Sequence, residues 1–163
     1  MILTTHAITG ATLATLVPSN PVLGFVIGFG SHFILDSIPH WDYSLQNSKK
    51  DKNKPLNNDL IISRDSLRDL MKIALDGISG LVLSFILLGI FRHQSILAIS
   101  CGAIGGMAPD ALQFVYFKWR HEPLISLQKF HILMHSKYSL KKRPVLGMSS
   151  QLAIVTLIYI LFQ

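Results

Sequence analysis

Five apolar segments dominate the sequence and restrict the folds available to it. They cover residues 2–17, 21–38, 71–91, 95–117 and 145–162. A helix needs about 20 apolar residues to cross a bilayer; the last three segments reach that length and the first two are short. Only 15% of the residues are charged, whereas soluble domains carry roughly 25%. The sequence therefore predicts an all-α polytopic membrane protein, and the alternative is a glycine-rich soluble helical domain.

The basic residues predict how these segments are oriented. Of the 15 basic residues, all except Arg92 lie in the connections 41–72 and 118–144. Basic residues that flank short loops stay on the cytoplasmic side. We therefore expect a multi-pass protein with a cytoplasmic N-terminus and an external C-terminus. The basic balance indicates contact with anionic membrane lipids and not with nucleic acid.

We predict a single membrane domain over residues 1–163, divided by its apolar and polar segments. Its parts are a first helical hairpin (1–43), a polar cytoplasmic loop (44–69), a second hairpin (70–117), a basic cytoplasmic segment (118–144) and a last transmembrane helix (145–163). The polar residues of the loop cannot build a core, so we expect it to be mobile. Since Cys101 is the single cysteine, an internal disulfide is excluded.

The two hairpins show a weak internal repeat with an offset of 70 residues. This offset places His6 on Asp76 and His40 on Asp110 without a gap, although few positions are identical. All four residues then fall at the cytoplasmic ends of helices. Ionisable groups at membrane depth are costly and usually functional, so the repeat predicts one shared site. Taken singly, Pro39 and Pro109 beside two of them are better explained as helix kinks.

A ladder of ionisable residues runs through the second apolar segment. His32, Asp36 and His40 are spaced at i, i+4 and i+8 and so share one face of a helix. Asp36 is expected either to bind a metal directly or to orient a histidine through its second ring nitrogen. For His32, a metal ligand and a histidine satisfied by helix packing are equal alternatives.

The second histidine pattern lies in the basic cytoplasmic segment. His131 and His135 have the i, i+4 spacing of helical metal sites. Pro123 allows the chain to turn back after the fourth helix, so we place the pair over the cytoplasmic mouth of the predicted site. There they would act as ligands or as an acid–base pair, and the alternative is a solvated basic loop.

Three short motifs resemble those of the YdjM-like family of membrane-bound metal-dependent hydrolases. They are Thr5-His6 followed by Gly10, the glycine-rich segment that ends in Pro109-Asp110, and His131-x-x-x-His135-Ser136. The resemblance covers most of the chain and implies a polytopic inner-membrane protein with His and Asp ligands and a hydrolytic role. The sequence departs from the family's Pro-Asp-x-Asp motif, because Ala111 and Leu112 follow Asp110, whereas Pro39-His40-Trp41-Asp42 occurs in the first half.

The first functional hypothesis is a hydrolase of a phosphoester, lipid-linked, at the cytoplasmic headgroup level. The predicted metal ligands are His6, His32, His40, Asp76, Asp110, His131 and His135, and the predicted catalytic residues are Asp36, Asp110 and His135. Mixed imidazole and carboxylate ligands suit Zn²⁺ or Mn²⁺. Lys137 is a candidate for binding the anionic headgroup. Lys141, Lys142 and Arg143 are also candidates, although a basic flank explains these three more simply.

The second hypothesis is a membrane protein without enzymatic activity that binds metal or serves as a scaffold. A metal or proton carrier would need polar residues that continue to the far side of the membrane. The outer halves of the helices contain no ionisable residue over 13–17, 22–28, 81–90 and 96–100, which disfavours transport. Neither a P-loop nor a GxSxG or GxGxxG motif is present in the sequence. The sequence leaves the oligomeric state undecided.

Overall fold

The computed structural model describes residues 1–51, 53–64 and 66–162, and most of these residues are helical. The helices are α1 Leu3–Ala14, α2 Pro21–Asp36, α3 Ser66–Ser84, α4 Ile96–Lys118, α5 Leu124–Met134 and α6 Pro144–Leu161. A π-helical stretch over Phe85–Ile90 extends α3. Lys52, Asp65 and Gln163, which fall in the predicted polar loop and last helix, lie outside the described residues.

Helix α1 forms the centre of the fold. It packs against α2, α3, α4 and α6, and most of its residues are buried. Its small side chains let α4 come close: a Cβ atom on Gly102 would collide with the carbonyl oxygen of Gly10, and one on Gly106 with that of His6. Close approach of small residues is typical of helix packing in membranes. It brings the start of α1 and the middle of α4 to the same level.

Three of the described helices are long and apolar enough to cross a membrane. They are Ser66–Ile90, Ile96–Lys118 and Pro144–Leu161. Large apolar side chains on their outer faces are exposed, among them Leu75, Ile104 and Leu157, as expected for helices that face lipid.

The first two apolar segments form shorter helices than predicted. At 12 residues, α1 is only about 18 Å long, against a hydrocarbon core of roughly 30 Å. The prediction of a first membrane span over residues 2–17 is therefore corrected to a short, buried helix. Helix α2 is apolar but has only 16 residues.

The second predicted hairpin is open. Helix α3 packs mainly on α1, and α4 packs mainly on α1 and α2, so that α3 and α4 contact each other less closely. The central position of α1 accounts for this separation, because α1 lies between them. The separation leaves space between α3 and α4 at the ends that we predict to be cytoplasmic.

The segment after α2 is folded, which corrects the prediction of a mobile loop without structure. Strands β1 Ser48–Lys49 and β2 Asp59–Leu60 pair antiparallel around a 3₁₀ turn at Pro55–Asn57. Leu60 is buried, and Lys118 at the end of α4 donates hydrogen bonds to Asp59 and Leu60. The backbone thus finds partners on α4 that the composition of the loop did not reveal.

Hydrogen bonds from α6 and from the segment before it fix the chain that follows α2. Gln151 accepts a hydrogen bond from the backbone N–H of Ile2 at 3.2 Å and donates one to the carbonyl oxygen of Trp41 at 2.8 Å. Leu140, just before α6, donates its backbone N–H to the carbonyl oxygen of His40 at 3.0 Å. These bonds position His40 beyond the end of α2.

Candidate metal centre

Asp36, the last residue of α2, lies at the centre of a buried cluster of ionisable side chains. Its Oδ2 atom is 3.0 Å from Nε2 of His131 and 3.2 Å from Nε2 of His32. Its Oδ1 atom is 3.2 Å from Nε2 of His6 and 3.9 Å from Nε2 of His40. The side chain of Asp36 is only 2% exposed. One carboxylate therefore contacts four histidines.

Two of the histidines reach Asp36 from the same stretch of chain. His32 lies four residues before Asp36, and this spacing places both on one face of α2. His40 has the same spacing on the other side, but α2 ends at Asp36. It approaches through non-helical chain held against Ser139 and Leu140. The predicted ladder thus meets at one site, but only its first half is helical.

His6 enters the cluster from α1 and is fully buried. Its ring stacks on that of His32, with centroids 3.9 Å apart and planes at 20°. Within residues 1–51, 53–64 and 66–162, neither ring nitrogen of His6 has a hydrogen-bond partner, although Nε2 is 3.2 Å from Oδ1 of Asp36. The distance would allow a hydrogen bond but the direction does not. A buried imidazole without a partner is costly, and a bound cation would satisfy it.

Asp110 and the buried His131 complete the cluster from α4 and α5. Oδ1 of Asp110 is 3.7 Å from Nε2 of His32 and 3.9 Å from Nε2 of His131. The side chain of Asp110 is 32% exposed, whereas that of Asp36 is 2% exposed. Asp110 is therefore the carboxylate that a substrate or water can reach.

Three histidines direct an unprotonated nitrogen towards the site. Nδ1 of His32 lies 2.8 Å from the carbonyl oxygen of Gly106, Nδ1 of His40 lies 2.7 Å from that of Ile38, and Nδ1 of His135 lies 3.1 Å from that of Ser136. Because a carbonyl oxygen only accepts, each Nδ1–H donates. In the neutral ring Nε2 then carries the lone pair. This is the tautomer that binds a metal through Nε2.

The ligand atoms form two groups that share Asp36. In the first, atoms of His32, Asp36, Asp110 and His131 lie within 4.8 Å of one another, and in the second so do atoms of Asp36, His40 and His135. Because the two oxygens of Asp36 face different histidines, the carboxylate could bridge two cations. The described residues could thus hold one or two metal ions.

Positive charge lies beside Asp36 in the structure. The amino group of Met1 is 3.0 Å from Oδ1 of Asp36, 2.9 Å from Nε2 of His40 and 2.9 Å from Oδ1 of Asp42. Burial opposes ionisation of Asp42, but the neighbouring His40 and the Met1 amino group outweigh it and hold the pKa of Asp42 well below its ordinary value. The acceptors of the cluster thus favour a cation.

His135 lies at the edge of the cluster. Its backbone N–H donates to the carbonyl oxygen of His131 at 3.0 Å, and its backbone leaves the helical conformation at the end of α5. Its ring lies 4.9 Å from that of His40 and 6.3 Å from that of His131, between centroids. Burial lowers the pKa of His135. The structure thus places the pair at the site and not in a separate solvated loop.

Asp76, like His6, is a predicted ligand that lies outside both groups of described ligand atoms. Its carboxylate accepts hydrogen bonds from the backbone N–H groups of Leu3 at 2.7 Å and Thr4 at 3.0 Å, and from Oγ1 of Thr4 at 2.7 Å. These are the free N–H groups at the start of a helix. We therefore correct its assignment from metal ligand to cap of α1. The repeat predicted that Asp76 lies near the cytoplasmic end of its helix, but it did not predict these hydrogen bonds to α1.

Sequence reasoning missed the contact between Asp42 and His40. Oδ2 of Asp42 lies 3.3 Å from Nε2 of His40. The sequence contained a sign of it in Pro39-His40-Trp41-Asp42, where a carboxylate follows a predicted ligand by two residues. It also predicted Asp36 as a catalytic residue that either binds the metal or orients one histidine, whereas in the structure Asp36 contacts four histidines.

Comparisons of the chain with protein-family models, with curated proteins and with solved structures find no match.

Proposed function

We propose that this protein is a polytopic inner-membrane hydrolase that uses a divalent metal to cleave a phosphoester bond, as the resemblance to the YdjM-like family implies. In this proposal its N-terminus is cytoplasmic and its two hairpins are related by the internal repeat. The three long apolar helices support membrane insertion. Asp36 ends α2 and His6 lies in the first turns of α1, which suits a site at the level of the lipid headgroups.

The observation that carries the proposal is the convergence of acceptor atoms in a buried place. Nε2 of His32 lies 3.3 Å from Nε2 of His131, and both lie within 3.2 Å of Oδ2 of Asp36. Since Nδ1 of His32 already donates its proton to Gly106, its Nε2 faces these acceptors with a lone pair. Such a group is stable only with a proton or a metal ion between its members.

The donor set fits a transition metal better than calcium. Imidazole suits Zn²⁺ and Mn²⁺ and carboxylate suits Mn²⁺, whereas Ca²⁺ takes six to eight oxygen ligands. His32, Asp36, Asp110 and His131 would hold one ion, and Asp36, His40 and His135 would hold a second. Such ions lower the pKa of a bound water and stabilise negative charge on phosphoryl oxygens.

The exposed residues of the site carry the proposed proton transfers. Asp110 faces the cavity with part of its carboxylate free, so it accepts a proton from the attacking water. When only one ion is bound, His135 holds its Nδ1–H on Ser136 and keeps Nε2 free as the second base, or returns the proton to the leaving oxygen. Because Asp36 is buried among four imidazoles, we propose it as a bridging ligand and not as the base.

The test is metal analysis of detergent-purified protein together with turnover of para-nitrophenyl phosphate. We expect about one or two bound ions per chain, as in mono- and dinuclear hydrolases, and loss of both metal and hydrolysis in His131→Ala and Asp110→Ala. His121→Ala, an exposed histidine outside the cluster, serves as the control and retains both.

The two hypotheses are separated by the pattern of losses. Bound metal without hydrolysis of any phosphoester would instead identify a metal-binding membrane protein without enzymatic activity. Protein that is monodisperse and free of metal after growth and purification in zinc- and manganese-containing media would contradict the metal site itself.

A further inference from the structure

A large cavity opens beside the cluster. Its volume is about 1220 Å³, far more than an ion or one water of about 30 Å³ requires. Asp36, Asp110, His131 and His135 line one part of it. The remaining lining divides into a basic part and an apolar part, which indicates the chemistry of a ligand.

The basic part contains Lys50, Lys137 and Lys141, and the first and last of these are close enough to interact. Lys50 follows strand β1 and Lys141 precedes α6, and both line the cavity. Burial and the neighbouring ammonium of Lys141 lower the pKa of Lys50. Bringing two like charges together is unfavourable unless an anion lies between them.

Lys50 and Lys141 differ from the two lysines of the described residues that pair with a carboxylate. Lys118 pairs with Asp59 at 2.8 Å, and Lys72 lies 3.8 Å from Asp69. Within residues 1–51, 53–64 and 66–162, neither Lys50 nor Lys141 has a carboxylate oxygen within 4.0 Å. The pair therefore has the charge and the freedom to bind an external anion.

The apolar part lies between α3 and α4, which diverge around α1. Leu70 and Ile73 of α3 and Met107 and Phe114 of α4 line the cavity. The outer face of α3 exposes Leu75, and α3 is one of the candidate membrane spans. A hydrocarbon chain in this space would therefore continue from an apolar environment towards the cluster.

We propose that Lys50 and Lys141 form a phosphate-binding subsite, and that the space between α3 and α4 holds an apolar chain attached to that phosphate. The substrate class is then an amphiphilic phosphate ester, whose phosphate lies between the lysine pair and the His/Asp cluster. This inference rests on the proposed hydrolase function and names its substrate. It assigns phosphate binding to Lys50, which the charge pattern of the sequence placed only in a basic connection. It also assigns phosphate binding to Lys141 in preference to Lys142.

The experiment is calorimetric titration of the full chain in a non-ionic detergent with dodecyl phosphate, inorganic phosphate and dodecanol. Charge-assisted hydrogen bonds contribute about 1.5–3 kcal/mol each, so Lys50→Gln and Lys141→Gln should each weaken dodecyl phosphate binding roughly ten- to hundredfold. The neighbouring variants Lys49→Gln and Lys142→Gln change the same charge and should leave it unchanged. Lys50→Arg should retain most of the affinity.

Each outcome separates the subsite from the hydrolase. Equal losses in all four glutamine variants would show a general effect of charge and overturn the subsite. Lysine-dependent binding of inorganic phosphate that is as tight as that of dodecyl phosphate would overturn the apolar half and identify a soluble phosphate ligand. Lysine-dependent binding of dodecyl phosphate without any turnover would uphold the subsite and refute the hydrolase. Turnover of dodecyl phosphate that is unchanged in Lys50→Gln and Lys141→Gln would uphold the hydrolase and refute the subsite.

Discussion

Nε2 of His131 lies 3.0 Å from Oδ2 of Asp36, although 95 positions separate the two residues. The contact joins the end of α2 to the last turn of α5. It exists because α5 turns back over the cluster after α4. Asp36 thereby becomes the common contact of four histidines of the cluster.

Replacement of Asp36 by Asn should therefore remove metal binding more completely than replacement of any single histidine. The amide has nearly the same shape but lacks the charge and one acceptor, so we expect metal affinity to fall by at least about 100-fold, the upper range for loss of supporting residues. The measurement is competition with a metal-sensitive chelator. Asp51→Asn is the matched control, because Asp51 lies in the hairpin loop and accepts hydrogen bonds from the backbone N–H groups of Asn53 and Lys54. Equal affinities in the two variants would contradict the central role of Asp36.

His6→Leu should stabilise the metal-free protein and reduce the stabilisation by metal. Both ring nitrogens of His6 are buried without hydrogen bonds, and such groups cost about 1–3 kcal/mol each. In chelator the variant should unfold at a higher temperature than the wild type. With zinc added, the wild type should gain stability and the variant should gain less. His121→Leu, at an exposed site, should follow the wild type in both conditions, and a destabilised metal-free His6→Leu would contradict the prediction.

Gly102→Ala should loosen the contact between α1 and α4. The added methyl group would collide with the carbonyl oxygen of Gly10 and with Cβ of Ala14, so we expect a loss of about 1–3 kcal/mol of unfolding free energy, typical of overpacking. Thermal unfolding in detergent measures it. Gly30→Ala is the control, since no atom lies within 4 Å of its added Cβ. It should be neutral or stabilising by about 0.5–1 kcal/mol.

Metal affinity should fall as the pH drops below about 6.5, the ordinary pKa of histidine, because only the neutral imidazole binds metal. His135 has a lowered pKa in the folded protein. The folded protein therefore loses stability relative to the unfolded chain as the pH falls from the pKa of His135 in the unfolded chain towards its lowered pKa in the folded protein. Asp42, whose pKa is well below its ordinary value, stays ionised over this range and does not contribute. Chelator competition between pH 8 and pH 5.5 measures the effect, and a constant affinity would contradict histidine ligation.

The predicted topology places the hairpin loop inside and the C-terminus outside. Reporter domains fused after residues 52 and 163 should therefore report opposite sides of the membrane, because nearly all basic residues flank the cytoplasmic connections. A third fusion within residues 92–95 should agree with the fusion after residue 163. Fusions after 52 and 163 that report the same side would refute the arrangement.

The ligand set was only partly predictable from the spacing of residues. The i, i+4 pattern of His32 and Asp36 holds because both lie on α2. The same pattern in Asp36 and His40, and in His131 and His135, crosses the end of a helix. Spacing along the chain therefore selected the right residues but did not reveal their geometry.

The local pattern of apolar and polar residues determines where this chain forms helices and which helices are long enough to span a membrane, because hydrophobicity and helix length depend on neighbouring residues. The contacts between helices decide the rest. The position of Asp76 in the predicted repeat does not show that its carboxylate caps α1, nor does the composition of the polar segment show that it pairs as a hairpin on α4. Both outcomes depend on which backbone N–H and C=O groups lack hydrogen-bond partners after the other helices pack around α1. Only the packed chain determines which groups these are.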